Sequence, residues 1–261
     1  VMGILNVTPD SFYDGGTRTD IAEFLRQAEK MAADGATIID IGAVSTRPGA
    51  LPVNDEEELA RALPALKAIR KEFPEIIISV DTFRSKVARI VCNEGADMIN
   101  DIYGGRFDLD MLSTVANCKV PYVLMHMKGT PADMQLNPIY SDVLAEVYYF
   151  FEHRIEQCRS VGISQIIIDP GFGFGKNLTH NFTLLAELFR FKSLGAPILA
   201  GLSRKSMIQR TLTVPASEAL NGTTALNMAA LMNGAAILRV HDVKESVETV
   251  KLFRALQTGD E

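Results

Sequence analysis

Ile166-Ile167-Ile168-Asp169-Pro170-Gly171-Phe172-Gly173-Phe174-Gly175-Lys176 is the stretch on which the reading of the fold turns. Three β-branched apolar residues in succession suit a strand covered on both faces. Asp169 then stands at the C-terminal end of that strand. Pro170 cannot continue a ladder, so the strand stops there. Gly171, Gly173 and Gly175 let the backbone turn sharply or come close to a ligand. Phe172 and Phe174 add aromatic surface to a loop that would otherwise be polar. Taken alone, the stretch reads equally well as a tight turn with a capping aspartate.

The same unit, an apolar strand running into a polar or glycine-rich loop and then a helix, recurs on both sides of it. Strands are expected at 1–5, 37–41, 76–80 (ending at Asp81), 97–100, 120–125 (ending at His126), 166–169, 197–200 and 235–240. Asp20 with Glu23 predicts a capped helix whose apolar residues recur at helical spacing to Ala32, with Gly35 as its stop. Asn54 with Glu57 caps a helix to about Lys71, expected to be kinked or interrupted at Pro64. Further helices are expected from about Arg84, near 108–117, and over 142–160, 216–232 and 243–256. Strands alternating with helices imply parallel βαβ units. Eight of them in 261 residues predict a closed (β/α)8 barrel, a single α/β domain over 1–261, with a doubly wound open sheet as the alternative.

Composition narrows the function. The net charge is −6, from 26 basic and 32 acidic residues, which argues against general binding to nucleic acid or to anionic membranes. A local cluster of cations could still hold an anionic ligand. Cys92, Cys118 and Cys158 form neither a metal signature nor a disulfide framework, as expected of a reduced cytoplasm. No apolar run reaches membrane-spanning length, and no signal peptide is read.

The polar clusters all fall after strands, and in a barrel those loops converge on the face that carries the site. Asn6, Arg47, Asp81, Asn100, Asp169, Lys205, Arg239 and His241 belong to that face. Asp81, Asn100 and Asp169 would form a ring of acceptors plus one amide. Carboxylates accept paired charge-assisted bonds from adjacent N–H groups of a planar heterocycle, and an amide suits a mixed edge. Alternatively, each merely caps its following helix. Ser203-Arg204-Lys205-Ser206 and Arg239-Val240-His241 follow the seventh and eighth strands, where barrels often bind phosphate. Arg239 and His241, two apart, would point the same way and grip a diphosphate, unless a carboxylate such as Asp242 pairs with them. His126 reads as a structural, hydrogen-bonded histidine and stays outside the site.

Gly3-Ile4-Leu5-Asn6-Val7-Thr8-Pro9-Asp10-Ser11-Phe12, Ser45-Thr46-Arg47-Pro48-Gly49, Asp169 to Lys176, Gly201-Leu202-Ser203-Arg204-Lys205-Ser206 and Arg239-Val240-His241-Asp242 together resemble dihydropteroate synthase over nearly the whole chain. That resemblance implies a (β/α)8 enzyme joining 6-hydroxymethyl-7,8-dihydropterin diphosphate to p-aminobenzoate. It implies a pterin pocket of Asp81, Asn100, Asp169 and Lys205. It also implies a diphosphate site of Arg239, His241, Thr46 and Arg47, a Mg²⁺ ligand at Asn6, and a p-aminobenzoate pocket shaped by Phe12, Pro48, Phe174 and Ser206. Asp14 would lie near the reacting carbon, so that Asp14, Lys205, Arg239 and His241 carry catalysis. A homodimer is also expected, and loops 6–16 and 42–54 should close over the substrates. One departure stands out: the family commonly has Gly-Gly-Glu where this chain has Gly42-Ala43-Val44, which puts p-aminobenzoate and sulfonamide affinity in doubt. Two other readings compete. A pterin-binding methyltransferase would not need Arg47, Arg239 and His241 together, and a non-catalytic barrel that binds pterin or serves as an interaction partner is favoured only by the altered loop.

Overall fold

The computed structural model describes residues 1–8, 18–45, 53–131, 133–134 and 136–258, with residues 18–20 described by their backbone only. Eight parallel strands close in sequence order into a barrel: β1 Met2–Asn6, β2 Ile38–Gly42, β3 Ile77–Asp81, β4 Met98–Asp101, β5 Tyr122–Met125, β6 Ile166–Asp169, β7 Ile198–Ala200 and β8 Ala235–Val240. Each strand lies within two residues of its expected position. The open-sheet alternative is excluded by the β1–β8 pairing, which sets Met2 against Arg239 and Gly3 against Val240.

Around the barrel run α1 Arg18–Ala33, α2 Asp55–Glu72, α3 Ser85–Asn93, α4 Met111–Cys118, α5 Val143–Ser160, α6 Leu178–Ala186, α7 Ser206–Leu212, α8 Leu220–Met232 and α9 Val243–Thr258. Asn54 caps α2 as predicted, its side chain accepting from the Glu57 amide at 2.9 Å. Three expectations are corrected. Helix α1 begins at Arg18, so Asp20 lies inside its first turn, and Glu23 instead pairs with Arg26 and accepts from Gln27 Nε2 at 2.9 Å. Helix α2 runs through Pro64 without interruption, because Ala62, Ala65, Leu66 and Ile69 are buried on both sides of the proline and hold the two turns together. The single helix expected over 216–232 is a 3₁₀ turn at Ala216–Glu218 followed by α8; α7, α6 and a 3₁₀ segment at Leu188–Leu194 had not been read from the sequence.

Side chains alternate across a strand, and this sorts the chain into layers. Met2, Ile38, Met98, Val123, Ile167 and Leu199, with Ile237 against them, form an apolar cluster made only of strand residues. It fills the barrel floor. A larger cluster packs the strands' outer faces against the helices. Two residues beyond these floor residues come Ile4, Asp40, Asn100, Met125, Asp169, Gly201 (just past β7) and Arg239. A dry floor thus supports a polar layer at the strands' C-terminal ends, where barrel enzymes carry their sites. No described helix is long and apolar enough to cross a membrane. Cys92, Cys118 and Cys158 are free thiols.

Candidate active site in the barrel mouth

Arg239 reaches across the barrel from β8. Its Nε donates to Asp40 Oδ2 at 2.7 Å and its Nη2 to Asp81 Oδ2 at 3.2 Å. Asn100 Nδ2 donates to the same Asp40 oxygen at 3.0 Å. Asp81 and Asn100 are register neighbours on β3 and β4, so they stand side by side. Asp40, Asn100 and Asp169 are all buried. Opposite, Asp169 Oδ1 accepts from the Gly171 amide at 2.8 Å. A methyl group built on Gly201 would lie 3.9 Å from both Asp169 Oδ2 and Lys205 Nζ, so these two atoms converge on one point of the mouth. Lys205 Nζ also donates to the Phe172 carbonyl and lies 4.7 Å from the Phe174 ring centroid. The structure therefore brings Asp81, Asn100, Asp169, Lys205 and Arg239 together, as the strand-end reading expected.

Burial sets the electrostatics. It raises the Asp81 carboxyl to about 8 against the pull of Arg239, with Asp40 pushing the same way as burial. Asp169 is likewise raised by burial and opposed by Lys205. Burial lowers Lys205 to about 8, with Asp169 opposing it. Burial also works against the Arg239 charge, but Asp40 and Asp81 outweigh it and hold the guanidinium above its ordinary range. The mouth is thus a largely buried ring of three carboxyls, one amide and two cations, in which a planar ligand carrying N–H and carbonyl edges finds partners.

Asp40 had not been read from the sequence as a site residue. Its Oδ1 is buried and meets no hydrogen-bond partner. The signal was present, since Ile38-x-Asp40 repeats the spacing of Met98-x-Asn100, Ile167-x-Asp169 and Ile237-x-Arg239, an apolar floor residue followed two positions later by a polar one. Lys176 was also missed. It is 2% exposed, and its Nζ lies 2.9 Å from His126 Nδ1, 3.0 Å from the Phe174 carbonyl and 3.1 Å from the Gly171 carbonyl. His126 is buried and edge-on to Phe150 at 4.9 Å, as expected of a structural histidine. Burial, then the neighbouring Lys176, push its pKa well below the usual range.

The cation pair expected at the end of β8 has a different form. Arg239 is engaged by Asp40 and Asp81 inside the ring, so it is not a free phosphate cation in this state. His241 is exposed at the rim, where its Nδ1 lies 3.0 Å from Ser203 Oγ. Asp242 is matched by Arg204, which donates to its two oxygens at 2.9 and 2.7 Å. Ser206 opens α7 and lines a cavity of about 100 Å³ shared with Lys176, Asn177, Asn181 and Arg210. Phe174 packs on a rim cluster of Phe83, Ile102, Met125, Met127 and Met134. Ala43 is fully buried, and its carbonyl accepts from Arg61 Nη1 at 3.1 Å. Phe12, Asp14, Thr46, Arg47 and Pro48 lie outside the described residues, as does most of loops 6–16 and 42–54.

Among the described residues no three His, Cys, Asp or Glu side chains converge on a point where a metal ion could sit. Asn6, the last residue of β1, is exposed, and a methyl group on Gly42 would stand 3.3 Å from its Oδ1. A lone amide oxygen does not fit a structural metal cage. It does fit Mg²⁺, which takes few protein ligands and completes its shell with water and substrate phosphates.

Residues 2–241 match the family described as pterin binding enzyme. The chain is 48% identical to the dihydropteroate synthase of Escherichia coli K12 over 263 aligned positions, covering 100% of this chain and 93% of that one. The dihydropteroate synthase of Yersinia pestis, solved in a sulfonamide drug complex, superposes with a TM-score of 0.93 at 44% identity, over 98% of this chain and 94% of that one. The Xanthomonas albilineans enzyme in complex with 7,8-dihydropteroate superposes with a TM-score of 0.87 at 37% identity, over 98% and 92%. A closed barrel with this polar mouth, matched over 98–100% of its length by these relatives, belongs to the dihydropteroate synthase family of pterin-binding enzymes.

Proposed function

We propose that this chain condenses 6-hydroxymethyl-7,8-dihydropterin diphosphate with p-aminobenzoate to give 7,8-dihydropteroate and diphosphate. The observation that carries the reading is the largely buried ring of Asp40, Asp81, Asn100, Asp169, Lys205 and Arg239 at the C-terminal barrel face. A pterin offers that ring a planar face with adjacent N–H donors and a carbonyl. Asp169 accepts from the donors and Lys205 donates to the carbonyl, while Asn100 serves either edge.

In the reaction the methylene C–O bond breaks and the diphosphate leaves with the bonding electrons. The arylamine nitrogen then forms the new C–N bond and loses a proton. His241 at the rim and, from loop 2, Thr46 and Arg47 receive the leaving diphosphate, with Arg239 beneath them. Asp14 stabilises the positive charge that develops on the methylene carbon. Phe12, Pro48, Phe174 and Ser206 hold the arylamine. Asn6 would hold Mg²⁺, which when bound neutralises the leaving group's charge. A homodimer goes with this reading. It is supported by Met232, Leu252 and Leu256, exposed at 68%, 64% and 71% on α8 and α9. A monomeric mass in sedimentation equilibrium at micromolar concentration would remove it.

The function is tested by mixing the protein with the pterin diphosphate, Mg²⁺ and p-aminobenzoate, and assaying diphosphate and dihydropteroate in parallel. Equal amounts of both are expected. Pterin binding without product would place a defect in the variant second loop, and no pterin binding would sink the reading.

The pH dependence follows from Lys205. With its amine lowered to about 8, the proton leaves well before lysine's ordinary 10.5. The ammonium is the stronger donor to a carbonyl, so kcat/KM for the pterin diphosphate should fall as pH rises through about 8. Asp81 gains its charge over the same range, so a variant is needed to separate the two. Lys205→Arg stays charged throughout and should lower the plateau while removing the lysine limb. A wild-type profile that is flat through pH 8 would sink this assignment.

A further inference from the structure

We propose that Lys176 is a positioning residue of the reaction, its buried amine holding the β6–α6 loop in the shape that presents Asp169 and Phe174 to the substrates and the Phe172 carbonyl to Lys205. The inference rests on the reading above.

The amine gathers acceptors from two separate segments. From the end of β5 it takes His126 Nδ1 at 2.9 Å and the His126 carbonyl at 3.3 Å. From the β6–α6 loop it takes the Gly171 carbonyl at 3.1 Å and the Phe174 carbonyl at 3.0 Å. Water does not compete for these groups, because Lys176 is 2% exposed and His126 6%. The peptides it fixes flank those the site uses. The Gly171 amide holds Asp169 Oδ1, the Phe172 carbonyl accepts from Lys205, and the Phe174 ring lies under the Lys205 amine. Asn181 closes the loop from α6, accepting from the Gly173 amide at 2.7 Å and donating to the Lys176 carbonyl at 3.3 Å. Burial pushes this amine well below the ordinary lysine range, and its N–H groups, shared among the four acceptors, tie the loop to the end of β5. A buried lysine is costly, and a purely packing role would be served as well by methionine. The charged or titratable groups around the amine are His126, Asp169, Lys205 and Arg106.

The test is chemical rescue. Lys176→Ala removes the equivalent of propylamine, and Lys176→Met keeps a stem and removes only the amine. Both should raise KM for the pterin diphosphate on the order of tenfold or more and lower kcat, while circular dichroism and the melting transition report a folded barrel. Propylammonium should restore most of the lost kcat/KM in Lys176→Ala, entering through the adjoining cavity lined by Ser206 and Arg210. Propanol, matched in size but with a single donor, should not. Wild-type KM in either folded variant would overturn the proposal. So would equal rescue by amine and alcohol, and so would loss of the fold in both variants, since Lys176 would then be needed for stability alone. The wild-type protein assayed alongside keeps the two readings apart: absence of dihydropteroate there counts against the function, whereas an active wild type with indifferent Lys176 variants counts against the positioning role alone.

Discussion

Arg239→Met is expected to lower kcat/KM by roughly a hundredfold or more, the usual cost of losing a preorganised charge at a developing anion, and to destabilise the protein as well. Arg239 is shared between Asp40, which is fully buried, and Asp81. Removing it leaves two carboxyls facing each other without a cation. Breaking a buried pair from one side costs about 3–5 kcal/mol. The value here should sit near the low end, since the Arg239 side chain is 22% exposed and Asp81 already binds a proton up to about pH 8. In a protein of this size about 3 kcal/mol lowers Tm by roughly 6–12 °C.

The informative companion is Arg239→Met with Asp81→Asn. Measured well above pH 8, where Asp81 carries its charge, it removes one of the two orphaned charges and should return part of the lost stability, but none of the turnover. Arg239→Lys should not rescue either property, because a single ammonium cannot span two carboxylates as the guanidinium fork does. Thermal melts and initial rates on these three variants decide the matter. Turnover of Arg239→Met within threefold of wild type would remove Arg239 from the chemistry. A double variant no more stable than the single one would show that the carboxyls do not share one cation.

Gly171→Ala should be among the most destabilising single-methyl changes at the described residues. Gly171 has φ +69°, and an added Cβ would lie 2.0 Å from the His126 carbonyl oxygen, a backbone atom held in the barrel wall. Neither partner can swing away, unlike a side-chain tip. The left-handed conformation costs a non-glycine residue about 1–2 kcal/mol, and the clash adds to it, for a total of roughly 4 kcal/mol or more. Gly162 is the matched control, with φ +98° and nothing within 4 Å of its added methyl. Gly162→Ala should therefore cost only the conformational part. Denaturant midpoints at equal m-values separate the two. Equal losses would mean that the β6–α6 loop yields freely. Pterin affinity should also fall in Gly171→Ala alone, because the Gly171 amide holds Asp169.

Much of this architecture was legible in the chain. Each βα unit declares itself locally, through an apolar run, a loop-forming cluster and a capped amphipathic helix. That is why strands were placed within two residues and why Asn54 and Asp142 were found where helices begin. The helices that escaped notice, α6 and α7, are nine and seven residues long and follow directly on glycine- and serine-rich loops. Short helices carry too few turns for an apolar stripe to stand out, and they persist because the barrel packs them. Asp20 was misplaced for a related reason: a capping box is a two-residue signal, and the described helix already includes Arg18 and Thr19 before it.

The identity of Asp81, Asn100 and Asp169 as a ring followed from sequence, because each ends a strand and barrel closure brings strand ends together. Which group neutralises which did not. Asp40 and Arg239 are 199 residues apart in the chain, and only closure of β8 onto β1 lets one guanidinium reach β2 and β3. Likewise Lys176 and His126, 50 residues apart, read singly as an ordinary loop lysine and a lone histidine. The sequence by itself determined the alternation, the floor and the polar ends of the strands, since these depend on period-two and period-3.6 patterning within each segment. The tertiary structure decided the charge pairing in the mouth and the amine-centred loop beneath it, since burial and distance between remote segments exist only once the barrel has closed.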